Sequence, residues 1–423
     1  METEMRNYSI QTLDSIDINI ESEVGVLKSV ILKRPSGELE NLTPKSLGQL
    51  LFDDIPFLDR AQIEHDYFSR LLSEQGVRVI YLDELFSDIL LSNDIKLKVA
   101  QDVILTLGYQ EEYIRTALLE YLLSKSPKEF CACLMAGVRK NELNINPKIL
   151  GGDFSKKSHF WISPLPNLYF TRDPASVLSK LININHMHYG ARKRESLFVE
   201  NIFKFHPLFK ANTIIDKSQY NNSLEGGDIM VLTSSILAVG VSERTSIQAV
   251  YDLSIKLFFN GEFKKHHGFS KVLMFDIPKR RSFMHLDTIL TQVDTHKFLG
   301  HVEALDETRI YKVVPDLFNK LKITELSGSI MDILSKELEQ DVSLINCGGD
   351  DPIHGSREQW SDGANSFVIR PGEVCVYGRN KITNKILEDS GVKVHIIPCS
   401  ELSRGRGGPR CMTMPLQRKN ITF

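Results

Sequence analysis

The chain has 423 residues, 42% of them hydrophobic and 25% charged, with a net charge of −3. That composition supports a large apolar core in one big domain or a few smaller ones, and it offers no basic field to attract nucleic acid. The six cysteines include no CxxC pair with zinc-ligand spacing, and Cys131 and Cys133 stand too close for an easy bridge. Neither a disulfide framework nor a structural zinc is indicated, and a reducing, cytoplasmic setting is expected.

Residues 1–20 read as a polar, poorly ordered lead-in without the basic and apolar regions of a secretory signal. No apolar run approaches the roughly 18 residues needed to span a bilayer, so no membrane partner is expected. Ala61, Tyr67, Phe68, Leu71 and Leu72 then recur at helical spacing and lead into "LSEQGVRVIYL" (72–82). The same pattern returns at "LEDSGVKVHII" (387–397). Each reads as helix, cap and strand, with Gly76 and Gly391 supplying the left-handed cap that a Cβ disfavours. Residues 83–147 have helical periodicity, with Ile114, Leu118, Tyr121 and Leu122 on one stripe, and are expected to form an all-helical insertion.

Beyond it, "IMVLTSSILAVGVSERT" after Asp228 and "NSFVIRPGEVCVYGRN" (365–380) each read as a hairpin, the second turning at Pro371-Gly372. The tripeptide GGD occurs at 151–153, 226–228 and 348–350. A strand pair, a helix and a further strand, repeated several times, predict a pseudo-symmetric α/β assembly.

Five stretches place polar groups beside turns: "PNLYFTRDP" (166–174), "GARKRE" (190–195), "LEGGD" (224–228), "MHLDT" (284–288) and "GRGGPRC" (405–411). His285 and Asp287 are two apart on an expected strand, which would put both on one face. That spacing serves a base and a carboxylate, a metal pair, or a core histidine beside a surface aspartate. Asp173 ends an expected strand over Leu168–Phe170, stopped by Pro174. Glu225 sits beside paired glycines outside any dinucleotide-binding context. Cys411 follows Arg404, Arg406 and Arg410, cations that favour a thiolate, although a small buried side chain fits the same position.

Carboxylates around a nucleophilic thiol would raise its pKa and repel an anion. They make sense for a planar guanidinium, which a carboxylate grips through two hydrogen bonds. Arginines at 192, 244 and 406 then suit the α-carboxylate of the same small zwitterion. The residues point to a substrate shaped like arginine.

In this light "FTRDP", "ARKRE", "EGGD", "GVSERT", "MHLDT", "REQWSDGAN" and "GGPRCM", in this order over nearly the whole chain, resemble the arginine deiminase family of guanidino-group modifying enzymes. The resemblance implies a five-fold pseudo-symmetric α/β propeller of ββαβ-type modules, with a helical domain inserted in the first. The propeller would comprise 21–82 and 148–423. It implies Cys411 as nucleophile, His285 as general acid/base, Glu225 as its support, and Asp173 and Asp287 as guanidinium-binding carboxylates. Asn167, Arg192 (with Arg194 as the competing alignment) and Arg244 would hold the α-carboxylate, Arg406 would be a mobile loop arginine, and Phe170 a ring near the guanidinium. Arg410 stands where some relatives have His.

The implied reaction is hydrolysis of L-arginine to L-citrulline and ammonia through an S-alkylthiouronium on Cys411, with no metal or organic cofactor. Its rivals are an amidinotransferase on the same scaffold, a non-catalytic arginine binder, and a metallohydrolase built on "HLD", which lacks further ligands at suitable spacing. A homo-oligomer, dimer or tetramer, is also implied.

Overall fold

The computed structural model describes residues 15–143, 145, 159–209, 212–219 and 221–422. The chain enters as β1 (Leu27–Leu32), a helix α1 (Leu58–Glu74) and β2 (Arg78–Tyr81). Gly76 has φ +80°, the left-handed turn expected of it. Residues 15–20 differ from the expected loose lead-in: Ile16, Ile18 and Ile20 are buried, and Ile20 bridges Ser179. Three isoleucines at alternate positions give this stretch one apolar face to bury.

Four helices follow: α2 (Leu82–Ile89), α3 (Asn93–Leu107), α4 (Glu112–Leu123) and α5 (Pro127–Ala136). Ile114, Leu118 and Leu122 are fully buried on α4 with Tyr121 packed partly against them, and Phe86 of α2 meets Phe198 at 4.4 Å between ring centroids. Each such side chain contributes about 2 kcal/mol on burial. Ser126 and Glu129 form a reciprocal capping box at the start of α5, with Pro127 just inside it. A short strand pair, β3 (Val138–Arg139) with β4 (Phe160–Ile162), follows the helices. The expected end of the helical segment near Pro147, and the first GGD, lie outside the described residues.

The second unit comprises β5 (Ala175–Leu178), β6 (Leu181–Ile184), α6 (Glu195–Phe205) and β7 (Thr213–Ile215). The third is β8 (Ile229–Thr233), β9 (Ile236–Val241), α7 (Ile247–Phe259) and β10 (Lys271–Asp276). The fourth begins with β11 (Leu290–Asp294) and β12 (Lys297–Gly300). Two further strands, β13 (Arg309–Pro315) and β14 (Leu321–Leu326), extend the third sheet beyond β10 before α8 (Ile330–Leu338) and β15 (Ser343–Asn346) complete the fourth. The fifth is β16 (Phe367–Arg370), β17 (Glu373–Tyr377), α9 (Lys381–Asp389) and β18 (Lys393–Ile397).

In each of units two to five an antiparallel pair is joined by a parallel third strand. The last strand, β19 (Met414–Arg418), gives β1 its antiparallel partner, while β2 adds in parallel. The two ends of the chain thus build the same pattern together. A parallel strand cannot be reached by a tight hairpin and needs a longer crossover, which a helix supplies. Both expected hairpins form, and Gly372 turns the second at φ +69°. The GGD repeat does not mark one element: at 226–228 it is a 3-10 turn before β8, whereas at 348–350 it is a turn after β15. No helix among the described residues is long and apolar enough to cross a membrane.

Candidate active site

Each unit brings polar side chains to one cavity or to the groups behind its wall from a corresponding place, the turn that precedes an antiparallel strand. Asp173 precedes β5, Glu225 precedes β8, His285 and Asp287 precede β11, Asn365 precedes β16, and Cys411 precedes β19. Strand ends with short turns hold side chains firmly because the backbone on one side is already locked in a ladder.

Two local expectations are corrected. Leu168–Phe170 is not a strand: Pro166–Tyr169 form a 3-10 turn, and pairing begins only at Ala175. Pro166 fixes φ and lacks an N–H, which favours the first position of such a turn. Nor is "MHLDT" a strand: Leu286–Thr288 turn as 3-10, closed by the Thr288 hydroxyl donating to the His285 carbonyl at 2.6 Å. The buried Asp228 carboxylate accepts the Leu286 N–H at 2.8 Å. His285 and Asp287 therefore diverge. The imidazole meets Glu225 and Asp173, whereas Asp287 meets Arg410 and the thiol.

On the imidazole side, His285 Nε2 and Glu225 Oε2 are 2.8 Å apart, and Nδ1 is 3.8 Å from Asp173 Oδ1. Burial alone would lower the imidazole pKa, but Asp173, the Glu225 hydrogen bond and Asp228 outweigh it and hold it at about 9. Burial would raise Glu225, yet the His285 hydrogen bond and the Arg244 charge bring it well below the usual carboxylate range. Gly227 lets the ring come close, since a Cβ there would lie 2.6 Å from His285 Nδ1, and its N–H donates to Asp173 Oδ1 at 3.1 Å.

On the thiol side, Cys411 Sγ lies 3.8 Å from Asp287 Oδ2, and its own N–H donates to Asn365 Oδ1 at 3.2 Å. Arg410 donates to Asp287 at 2.7 Å and to Glu23 at 3.0 Å. The expectation that neighbouring arginines lower the thiol pKa is reversed. Burial, then Asp287, Asp173 and Asp362, push Cys411 well above the ordinary thiol value, and Arg410 opposes them only in part because its charge is already shared with two carboxylates.

The cavity is lined by Cys411, His285, Asp173, Asn167, Phe170, Arg192, Arg244 and Arg406, together with Leu51, Met284, Thr288 and Gly405. Its volume is only about 20 Å³, room for about one water. Arg406, at a left-handed φ of +58°, closes one wall, its guanidinium 3.4 Å above the Trp360 ring. The loop can press this close because Gly407 has no side chain: a Cβ would lie 2.3 Å from Phe170 Cε1. Arg192 donates to Asp173 at 2.6 Å and to Glu195 at 2.7 Å; Arg194 instead donates to the Ser163 carbonyl. Asn167 donates its amide to the Leu50 carbonyl at 2.7 Å. Arg244 stacks over Tyr189 at 4.6 Å, with Nη1 3.7 Å from Glu225.

Asp173, Glu225 and His285 offer ligand atoms within 4.8 Å of one another. Arg192 and Arg244 already supply positive charge to these carboxylates, so the donor set suits guanidinium cations better than an added dication. Reading the sequence missed Glu23, Asn365, Asp228 and Glu195. Glu23 and Arg410 are 387 residues apart, and no local spacing joins them.

The sequence model of the family described as "Arginine deiminase" matches residues 48–418. The chain belongs to the arginine deiminase family. It is 43% identical over 416 residues to the arginine deiminase of Clostridium perfringens (strain SM101 / Type A), covering 96% of this chain and 100% of that one. It is likewise 43% identical over 408 residues to that of Borrelia duttonii (strain Ly), covering 96% and 98%. Among solved structures, SxtG, an amidinotransferase from Microseira wollei, aligns at TM-score 0.55 and 14% identity over 96% of this chain and 99% of that one. The N-terminal domain of an ArgZ variant, covalently bound to a reaction intermediate, aligns at TM-score 0.51 and 12% identity, covering 92% and 98%. These two likenesses concern the mixed α/β fold that arginine deiminases share with their neighbours.

Proposed function

We propose that this protein hydrolyses L-arginine to L-citrulline and ammonia, with Cys411 as nucleophile. The observation that carries the reading is the placing of a thiol, an imidazole–carboxylate pair and two further carboxylates around one buried cavity. Asp173 and Asp287 would grip the substrate guanidinium by two edges and hold its carbon at the sulfur. Its positive charge counters the carboxylates that keep Cys411 protonated, so binding releases the thiol proton to solvent and generates the attacker.

The thiolate then bonds to the guanidinium carbon. As the tetrahedral adduct collapses, one C–N bond breaks and His285, already carrying a proton, gives it to the departing nitrogen, which leaves as ammonia. An S-alkylthiouronium remains on Cys411. Neutral His285 next takes a proton from water, whose oxygen bonds to the same carbon. The C–S bond breaks and the adduct's hydroxyl gives its proton to solvent, returning the thiolate and releasing citrulline. Glu225 fixes the ring through both steps. Water and the substrate suffice as reactants. Arg192, Arg244 and Asn167 hold the α-carboxylate, Phe170 lies along the guanidinium, and Arg406 must move aside because the closed cavity is too small for arginine.

The recurrence of one strand pattern in five sheets supports a five-fold pseudo-symmetric propeller around this cavity. Residues 83–147 would form a helical domain inserted in its first unit. Family likeness supports a cytoplasmic homo-oligomer, dimer or tetramer.

The test is the formation of equal amounts of citrulline and ammonia from L-arginine without an acceptor amine. Mass spectrometry of protein quenched during turnover should find on the Cys411 peptide an adduct of the substrate less ammonia, and not a bare amidino group. A requirement for an acceptor amine would make the protein an amidinotransferase, and no turnover would make it a binder.

A further inference from the structure

Glu195 lies outside the cavity, has no exposed surface, and spends its whole carboxylate on one partner. Arg192 Nε donates to Oε1 at 3.1 Å and to Oε2 at 3.0 Å, while Nη2 donates to Oε2 at 2.7 Å. This takes one full edge of the guanidinium. Only Nη1 is left to face the cavity, and in the closed structure it donates to Asp173 Oδ2 at 2.6 Å. The pairing is local, three residues apart, from the turn before α6 to the first residue of that helix, so it does not depend on the Arg406 loop.

Asp173 is one of the two carboxylates assigned to the substrate guanidinium. Arg192 therefore stands in the resting site as an internal guanidinium, on an oxygen the substrate needs. When the substrate displaces it, Arg192 keeps Glu195, but Nη1 loses its hydrogen-bond acceptor within a buried site, with Glu225 Oε2 at 3.9 Å, and an unsatisfied buried donor is costly. An acceptor arriving with the same substrate satisfies it, and an α-carboxylate is such an acceptor. Glu195 keeps the other edge fixed, so Arg192 pivots and does not withdraw.

Resting on the arginine-hydrolysing reading above, we propose that Glu195 is the positioning residue that makes the enzyme demand an α-carboxylate, by holding Arg192 so that only Nη1 can exchange Asp173 for the substrate. Glu195 touches no substrate itself. Burial raises its carboxyl pKa to about 7 against the pull of Arg192, so the pair depends on mutual contact.

The experiment compares L-arginine with agmatine, which has the guanidinium but no carboxylate, in the wild type, Glu195→Gln and Glu195→Asp. In Glu195→Gln, KM for L-arginine should rise at least about tenfold, as expected for loss of a charge-assisted contact. Its kcat should stay within about threefold, and the Ki of agmatine as a competitive inhibitor should be unchanged or lower. Glu195→Asp, which keeps the charge, should give a KM between the two. Equal weakening of arginine and agmatine, or loss of kcat at constant KM, would overturn the proposal. If Glu195→Gln fails to fold, a Glu195→Asp protein with wild-type discrimination between the two ligands would overturn it equally. Absence of citrulline from the wild type would instead count against the parent reading.

Discussion

Cys411 and His285 line the same cavity, are buried alike, and feel the same Asp173 carboxylate. For both, the surrounding acids favour the proton-bearing form. In the proposed reaction that is the working state for the imidazole, because the leaving nitrogen needs a proton, and the idle state for the thiol, because only the thiolate attacks. On that reading, one electrostatic environment arms the acid and restrains the nucleophile until a cation arrives. The difference teaches that carboxylates here do more than grip: they make activation conditional on the charge of the ligand.

Removing either member should have the largest effect. Cys411→Ala and His285→Ala should each lower citrulline formation by at least about 10³-fold, with far-ultraviolet circular dichroism unchanged. Wild-type turnover in a folded Cys411→Ala protein would break the scheme outright. Asp287→Asn probes the thiol side alone. It should lower kcat/KM by about 10²-fold or more. It should also lower stability to urea by roughly 3 kcal/mol, because buried Arg410 loses one of its two carboxylate partners.

A titration sharpens the contrast. Because His285 is raised from 6.5 to about 9, its contribution to stability is fully present below about pH 6.5 and is lost as pH rises through about 9. The stability gap between wild type and His285→Asn should therefore narrow over that window, and kcat should fall above it as the leaving nitrogen loses its donor. Thiolate absorbance at 240 nm, taken as wild type minus Cys411→Ala, should be absent at pH 8 and should appear when guanidinium ion fills the site. A thiolate signal without the cation would end the idea of conditional activation. The smallest effect is expected from Ser126→Ala in the helical segment, about 1 kcal/mol of stability through loss of the α5 cap, with kcat/KM unchanged.

Local interactions are what sequence exposes most directly. The caps at Gly76 and Gly391, the turn at Gly372, the buried face of α4 and both hairpins depend on interactions within a few residues, so local pattern exposes them. The site was legible as a set of motifs, and its members do converge: Asp173, Glu225, His285 and Cys411 share one cavity or its immediate wall. Their local geometry was not legible. The strand expected at "MHLDT" gives way to a 3-10 turn because Asp228, 58 residues away, captures the Leu286 N–H. That turn sends His285 and Asp287 in different directions.

By itself the sequence determined the helical segment, both hairpins, the recurrence of strand pair, helix and strand, and the roster of a thiol, an imidazole, carboxylates and arginines that speaks for a guanidinium. Tertiary structure alone decided which charges meet. The pairing of Arg410 with Glu23 and Asp287 and the raised pKa of Cys411 depend on burial and on distances across units. Coulomb energies depend on separation and on the exclusion of water, and neither is a property of position along a chain.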